Sequence, residues 1–309
     1  MRTVMVTKFL PLPADSGGKI RSLAVAKQLM MLGDLTLCAF NDGKGDVAAL
    51  ESLGMEVRSV PWSSGGPFGL ARSLVGMART GSLSSGRFFR LDLAAHVRAA
   101  AEDGPLDLLQ IEYSTLVPYA RGIHARRRVL DLHNVESALA RSYSDSKTGW
   151  RSIVVAMEAR ALQRIERRVR EQFDAFLTVS YTDCETLVRK TWNESRNIRE
   201  LPVFVCPNGW DSSPPLPPSF EPVAVFVALM GWAPNADAAC WVASEIWPLV
   251  RQRIPEARLV LVGRDPTPSV WSLADAHRGI EVTGSVEDVA PYLASAQIAL
   301  APLRAGGGS

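Results

Sequence analysis

Short apolar runs alternate with amphipathic segments from the first residues of the chain onward. Residues 4–6, 35–40 and 55–60 have the composition of buried strands, and residues 19–32 and 47–53 between them have helical periodicity. Connections of this length suit parallel strands, because a tight turn joins only antiparallel ones. The pattern therefore predicts an α/β fold built on doubly wound parallel sheets.

The alternation is interrupted once, at residues 211–222, where prolines cluster in a way that fits neither a helix interior nor a central strand. We interpret this stretch as an interdomain linker. The predicted organisation is a Rossmann-like N-terminal domain (residues 1–212), a linker (213–221) and a Rossmann-like C-terminal domain (222–309). Further strands are predicted at residues 106–111, 128–132, 175–180, 223–229, 257–262, 280–283 and 296–301, and further helices at 70–78, 91–101, 153–171, 184–190, 236–251 and 288–293.

The chain ends at Ser309, soon after a predicted strand. A Rossmann-like domain that stopped at this point would leave sheet and helix faces unpaired. We therefore expect the second domain to be partial and the chain to be a fragment of a longer product, inactive by itself.

Composition excludes several classes of protein. The formal net charge is +2 over 309 residues, which is too small to indicate a nucleic-acid partner. The four cysteines are widely spaced, so free thiols in a reducing cytoplasm are expected rather than disulfides or a zinc site. No apolar run approaches the roughly 20 residues that span a bilayer. The helix predicted at residues 70–78 is basic and amphipathic, and two interpretations stay open for it: packing on its own sheet, or peripheral contact with a membrane.

Motifs of metal-dependent and nucleophilic catalysis are missing from the sequence. It contains no D-x-D pair, no G-x-S-x-G elbow, no P-loop and no metal-ligand spacing of histidine or cysteine. The remaining candidates are glycine-rich turns that follow predicted strands, and one histidine at a strand end. Free backbone N–H groups and the helix dipole at such turns bind anions and hydroxyl-rich molecules.

The first of these turns lies between the first strand and the first helix. Asp15 and Ser16 are candidate helix caps there, and Gly17 and Gly18 let the backbone approach a ligand that any side chain would block. The alternative interpretation is a tight turn without a ligand.

A second group of turns lies in the C-terminal half. Gly263 and Arg264 follow a predicted strand, so a backbone N–H and a guanidinium can meet a phosphate at the carboxyl edge of that sheet. Asn235 follows the first strand of this domain and is either a ligand-facing amide or a helix cap. Three glycines after the last strand predict either an anion-binding nest or a flexible tail: Gly306, Gly307 and Gly308.

His133 is the candidate catalytic residue. It stands at the end of a predicted apolar strand, two residues after Asp131, where an imidazole can hydrogen-bond a sugar hydroxyl or carry a proton. The alternative is a structural hydrogen bond that closes a turn. The other histidines, His96, His124 and His277, lie in helical or polar contexts and are expected to be solvated.

In their order and spacing, these motifs resemble the GT-B fold glycosyltransferases of family 4, and the resemblance extends over the whole chain. The segments that carry it are Pro13-Ala-Asp-Ser-Gly-Gly-Lys-Ile-Arg21, Asp131-Leu-His-Asn-Val-Glu136, Val179-Ser-Tyr-Thr-Asp183, Val205-Cys-Pro-Asn-Gly209, Gly231-Trp-Ala-Pro-Asn-Ala-Asp237, Leu261-Val-Gly-Arg264 and Ala301-Pro-Leu-Arg-Ala-Gly-Gly-Gly308.

This resemblance implies a retaining, metal-independent transferase that needs no cofactor and takes a sugar from a nucleoside-diphosphate donor. The N-terminal domain would hold the acceptor, which is a glycan, a lipid-linked sugar or a small metabolite, and the C-terminal domain would hold the donor. The resemblance also implies that Gly17 and Gly18 lie against the diphosphate and the transferred sugar, and that His133 faces that sugar. The turns at Gly263-Arg264 and at residues 306–308 would face the nucleotide.

The chain departs from the family pattern in two places. Many relatives place an arginine and a lysine after the first strand of the second domain, where this chain has residues 231–235. The family's E-x7-E element would begin at a glycine here and continue past Ser309. Two other functions on the same fold stay open: a non-catalytic protein that binds a sugar or nucleotide, and a nucleotide-sugar epimerase.

Overall fold

A computed structural model of the chain describes residues 1–62, 67–145, 149–197, 201–209 and 219–304, with the backbone alone at residues 67–72, 145, 150 and 151. These residues form two units, one within residues 1–209 and the other within residues 219–304, and each unit is built on its own parallel sheet. Most of the predicted linker lies outside the described residues, as do Gly306, Gly307 and Gly308.

The N-terminal unit alternates strands with helices. Its strands are β1 (Thr3–Phe9), β2 (Leu35–Asn41), β3 (Glu56–Pro61), β4 (Leu108–Glu112), β5 (Arg127–Leu132), β6 (Ala175–Thr178) and β7 (Val203–Val205). Its helices are α1 (Gly17–Met30), α2 (Val47–Ser52), α3 (Pro67–Thr80), α4 (Leu83–Arg87), α5 (Leu91–Glu102), α6 (Glu136–Asp145), α7 (Trp150–Arg168) and α8 (Tyr181–Glu185), which continues as a π-helical turn over Thr186–Thr191. Short 3-10 helices cover Ser114–Ala120 and Val169–Glu171.

The seven strands of this unit pair in the order β3-β2-β1-β4-β5-β6-β7, and every neighbouring pair is parallel. Val4, Met5 and Val6 of β1 are fully buried, because the sheet is covered on both faces. The strand order reverses between β1 and β4, and open α/β sheets bind their ligands at the carboxyl ends of the strands at such a point. The register pairs Glu112 of β4 with Asp131 of β5, so two carboxyl groups end their strands side by side.

The predicted strands and helices of this unit are confirmed, but α4, α6 and β7 are not predicted by the sequence. β7 has three residues and lies between Pro202 and Pro207, so the prolines hide its strand character. α6 is polar and rich in serine, and it packs closely against α7. Such a helix owes its stability to tertiary packing rather than to its own apolar periodicity.

The C-terminal unit has a four-stranded parallel sheet. Its strands are β8 (Val223–Val227), β9 (Arg258–Val262), β10 (Ile280–Gly284) and β11 (Ile298–Ala299). Its helices are α9 (Ala233–Trp241), which continues through a π-helical turn (Val242–Ile246) into α10 (Trp247–Arg253), then α11 (Pro268–Trp271), α12 (Leu273–Ala276) and α13 (Ala290–Ser295). The strands pair in the order β10-β9-β8-β11. Both sheets therefore confirm the predicted α/β fold with doubly wound parallel strands. Within the described ranges, no helix has both the length and the hydropathy that crossing a bilayer requires.

Candidate active site

The turn between β1 and α1 lies directly against two rings of the N-terminal unit. A β-carbon built on Gly18 would be 2.3 Å from the Tyr113 hydroxyl and 3.8 Å from His133 Nδ1, so only glycine fits at this position. A β-carbon on Gly17 would meet nothing within 4 Å. Ser16 is the N-cap residue of α1, but its side chain makes no capping hydrogen bond. The first backbone N–H groups of α1 are therefore not capped by the Ser16 side chain.

Tyr113 follows β4 immediately and has an unusual backbone conformation, with φ of 74°. Its backbone N–H donates to the Asp131 carbonyl at 2.8 Å, which holds this conformation in place. The Tyr113 and His133 ring centroids are 3.9 Å apart, and the ring planes are inclined by 34°. Lys8 Nζ lies 4.0 Å from the Tyr113 centroid and pairs with Glu136 at 3.2 Å. Burial raises the pKa of Tyr113 far above its ordinary value, so the phenol keeps its proton.

His133 is oriented by the carboxylate of Glu112. His133 Nε2 is 2.6 Å from Glu112 Oε2, and both side chains are buried. Burial by itself would raise the pKa of Glu112, but the hydrogen bond with His133, with help from Gln110 and Arg21, holds it below the ordinary value. An ionised carboxylate only accepts hydrogen bonds, so Nε2 carries the hydrogen. His133 Nδ1 is then on the side of Gly18.

Arg21 of α1 binds a second buried carboxylate. Its Nη2 donates to Asp131 Oδ1 at 2.9 Å and its Nε donates to Asp131 Oδ2 at 3.1 Å. Its Nη1 donates to the Cys206 carbonyl at 2.8 Å and to Asn208 Oδ1 at 3.1 Å, in the segment that follows β7. Arg21 thereby fixes α1 relative to β5 and this segment. Burial and the charge of Glu112 raise the pKa of Asp131 to about 6, against the opposing charge and hydrogen bonds of Arg21.

Glu112, Asp131 and His133 each place one potential metal-ligand atom within 4.8 Å of the others. Their hydrogen bonds already use these atoms, since Arg21 donates to both Asp131 oxygens and Ser22 Oγ and His133 donate to Glu112 Oε2. A cation at this position would have to displace the guanidinium of Arg21.

Glu166 of α7 is hydrogen-bonded to Ser114 and Ser137, which are the neighbours in sequence of Tyr113 and Glu136. It accepts hydrogen bonds from the Ser137 N–H at 3.2 Å, from the Ser137 hydroxyl and from Ser114 Oγ at 3.4 Å. Ser114 follows Tyr113, and Ser137 follows Glu136. Burial raises the pKa of Glu166 to about 7, and these hydrogen bonds oppose the shift only in part.

The structure brings Gly18 and His133 together, and it adds residues that sequence reasoning missed. Glu112, Tyr113 and Lys8 were not selected from the sequence. The sequence does contain an indication of Glu112 and Tyr113. Both stand at the end of an apolar strand that is predicted to be parallel to its neighbours, and ligands bind at the carboxyl ends of such strands. The partner of each, however, depends on strand order, which periodicity does not reveal.

In the C-terminal unit, the loops after β8 and β9 interlock. Gly263 has φ of +148°, and a β-carbon on it would lie 1.7 Å from the Ala228 carbonyl oxygen. The N–H of Met230 donates to the Arg264 carbonyl at 3.0 Å, while the Arg264 side chain is partly exposed. Asn235 is 8% exposed, and its Nδ2 donates to the Leu229 carbonyl at 3.0 Å.

The Asn235 side chain therefore stabilises its own loop and is not the N-cap residue of α9. Trp232 occupies the N-cap position, and its side chain makes no capping hydrogen bond. Gly263 is required by the close approach of β8 to β9. Arg264 is the candidate in this unit whose side chain reaches the surface.

A family described as "Glycosyl transferases group 1" matches residues 221–309, which is less than a third of the chain. No curated protein matches the sequence.

Solved structures give a broader likeness. TarM aligns with a TM-score of 0.60 and 9% identity, over 96% of this chain and 79% of that chain. An α,α-trehalose-phosphate synthase (UDP-forming) from Burkholderia vietnamiensis aligns with a TM-score of 0.55 and 11% identity, over 99% and 79%. A point mutant of S. aureus TarM, in complex with fondaparinux, α-GlcNAc-glycerol and UDP, aligns with a TM-score of 0.50 and 10% identity, over 68% and 39%. At these identities the likeness establishes the fold, and the chain has the fold of the GT-B glycosyltransferases.

Proposed function

We propose that this protein is a glycosyltransferase that moves a sugar from a nucleoside-diphosphate donor to a hydroxyl group of an acceptor. The observation that carries this proposal is the match of residues 221–309 to glycosyl transferases group 1, on a chain with the fold of such enzymes. A binding fold by itself does not define an activity, so the proposal also depends on the residues of the candidate site.

The N-terminal unit supplies three groups suited to this chemistry. At Gly17, where a β-carbon would meet nothing within 4 Å, a ligand can approach the first N–H groups of α1, which stabilise negative charge as a diphosphate leaves. His133 Nδ1 accepts a hydrogen bond from a sugar hydroxyl. Glu112 holds the imidazole in the orientation that this contact needs.

The donor in this proposal carries a uridine diphosphate. The support is indirect: one structural neighbour is described as UDP-forming, and another is a complex with UDP. The acceptor is a glycan, a lipid-linked sugar or a small metabolite, and Arg264 is the candidate contact to the donor's phosphates. We also propose that transfer retains the configuration at the anomeric carbon, as the resemblance to family 4 implies.

Metal independence and the absence of a cofactor are further parts of the proposal. The support for the first is the pairing of Asp131 with Arg21 and of Glu112 with His133, which leaves these carboxylates satisfied without a cation. The free cysteines of the described chain fit a reducing compartment, and we propose a cytoplasmic location on that ground.

The test is to incubate the full-length protein with a panel of nucleotide sugars, with and without acceptors and EDTA, and to measure nucleoside-diphosphate release and product configuration. We expect turnover of a UDP-sugar that EDTA does not reduce. His133→Ala should lower turnover by about a hundredfold. His124→Ala is the matched control, because His124 is exposed, and it should have no effect.

Other outcomes would contradict the proposal. Donor binding without turnover would assign a non-catalytic binding protein. Conversion of the donor without any acceptor would assign an epimerase. Failure to bind any nucleotide sugar would remove the proposed function altogether.

A further inference from the structure

Helix α7 separates its side chains by charge. Both of its glutamates face inward: Glu158 accepts hydrogen bonds from Ser82 Oγ and from the backbone at the start of α4, and Glu166 is bound to Ser137 and Ser114. The exposed side chains of α7, among those the structure describes, are all apolar or arginine. They are Ile153, Val154, Met157, Arg160, Arg164, Arg167 and Arg168.

We call six of these exposed residues the α7 face: Ile153, Val154, Met157, Arg160, Arg164 and Arg168. The steps from Ile153 through Met157, Arg160 and Arg164 to Arg168 are of three or four residues, which keeps the side chains on one side of a helix. The apolar residues occupy its N-terminal half and the arginines its C-terminal half.

The apolar half of the α7 face is unusually open to solvent. Ile153, Val154 and Met157 are 64%, 47% and 61% exposed, although they are neighbours on the same helix. Single exposed apolar residues are common on protein surfaces, but a contiguous group marks a contact site.

The basic half of the α7 face is formed by Arg160, Arg164 and Arg168. Among the residues that the structure describes, none forms an ion pair with Arg160, Arg164 or Arg168. The first exposed acid after these arginines is Glu171, beyond the end of the helix. The arginines are therefore available to an anionic partner.

We propose that the α7 face docks on an anionic lipid bilayer, with the helix axis in the membrane plane. Ile153, Val154 and Met157 enter the boundary between head groups and acyl chains, and the three arginines bind lipid phosphates. A helix of 19 residues is about 28 Å long, so both halves of the face reach the membrane together. An acidic protein surface would satisfy the arginines but would leave the apolar residues in contact with charged groups.

A second helix of the same unit supports this choice of partner. Leu74, Val75 and Met77 of α3 are also exposed, so part of the helix predicted to be basic and amphipathic does not pack on its own sheet. Arg79 is exposed on the same helix, and the sequence contains no acidic residue between Glu56 and Asp92. The proposal does not depend on the proposed enzymatic function.

The test is co-sedimentation of the full chain with vesicles. One set contains equal parts of phosphatidylglycerol and phosphatidylcholine, and the other contains phosphatidylcholine alone. We expect binding at least tenfold tighter to the anionic vesicles, weakened at high salt because exposed charges are screened. The double variant R160E/R164E and the single variant M157D should each weaken binding at least tenfold.

The matched control is R98E/R278E, which makes the same change of charge at two exposed arginines elsewhere. It should bind vesicles within twofold of the unchanged protein. Circular dichroism melts of every variant should be unchanged, because all the altered side chains are exposed.

Three results would overturn the proposal. The first is no preference for anionic vesicles. The second is an equal loss of binding in the control variant. The third is a combination of two measurements: light scattering shows that the protein self-associates and that M157D does not, while M157D binds vesicles as well as the unchanged protein does. This result would assign the α7 face to contact with a second copy of the chain.

Discussion

His133 Nε2 lies 2.6 Å from Glu112 Oε2, at the ends of two neighbouring parallel strands. The two residues are separated by 21 positions in the chain and meet because β4 and β5 are adjacent. This contact fixes which imidazole nitrogen carries the hydrogen, and so it determines what His133 can recognise at its other nitrogen. Glu112 is in this sense a positioning residue.

Replacing Glu112 with glutamine should weaken the restriction of His133 to one tautomer. A glutamine can donate as well as accept, so His133 is no longer held in one tautomer. We expect kcat for sugar transfer to fall by about a hundredfold, with a smaller change in KM. The ¹⁵N shifts of His133 should identify Nδ1 as the unprotonated nitrogen in the unchanged protein, and a mixture of tautomers in the variant. Glu51→Gln, at an exposed position on α2, is the control variant and should leave kcat unchanged. An unprotonated Nε2 of His133 in the unchanged protein would contradict the prediction.

Gly18 and Gly17 should respond differently to alanine. Gly18→Ala places a β-carbon 2.3 Å from the Tyr113 hydroxyl, which should destabilise the protein by about 1–3 kcal/mol and displace the loop. Gly17→Ala has open space and should change stability little.

The double variant Gly18→Ala/Tyr113→Phe tests the cause of this effect. Tyr113→Phe removes the oxygen that Gly18→Ala would meet, and the next ring atom, Cζ, lies 3.7 Å away. Urea unfolding should therefore show the double variant to be more stable than Gly18→Ala alone. Equal stability of the two would show that the strain lies elsewhere.

Glu166 should make stability depend on pH. Its pKa is about 7 in the folded protein against an ordinary value of 4.5, so the folded state favours the protonated form. Protonated Glu166 therefore adds about 3 kcal/mol to the free energy of unfolding. This stabilisation is fully present below pH 4.5 and is lost as pH rises through 7.

Glu166→Gln should remove this dependence, because an amide does not ionise. The free energy of unfolding, measured in urea at pH 5 and pH 8, should fall less with pH in Glu166→Gln than in the unchanged protein. Glu171→Gln, at an exposed position, should keep the original slope. Parallel pH profiles for all three proteins would show that Glu166 ionises normally.

Gly263→Ala should destabilise the C-terminal unit. The new β-carbon would lie 1.7 Å from the Ala228 carbonyl oxygen, and φ of +148° is strained for any residue with a side chain. We expect a loss of about 3 kcal/mol or more and earlier proteolytic cleavage within residues 219–304. Gly209→Ala has no neighbour within 4 Å and serves as the control. A melting temperature unchanged by Gly263→Ala would contradict the prediction.

Much of the fold could be predicted because its signals are local. A buried strand such as β1 is readable from a few successive apolar residues, and a helix such as α1 from the spacing of its apolar positions. The exceptions have local reasons as well: prolines flank β7, and α6 has too few apolar residues to show a period.

The candidate site was predictable in part. His133 was selected because a polar ring follows an apolar strand, and the structure places it beside Gly18. Glu112 and Tyr113 follow an equally apolar strand, yet their contacts depend on β4 lying between β1 and β5. No spacing within the sequence specifies that order.

The sequence by itself determined where most strands and helices form and which turns carry glycine, because backbone preference and apolar periodicity act over a few residues. It did not distinguish Gly17 from Gly18, or the inward glutamates of α7 from its exposed arginines. The tertiary structure decided those differences, since only the packed chain determines which β-carbon would meet Tyr113 and which charges are buried.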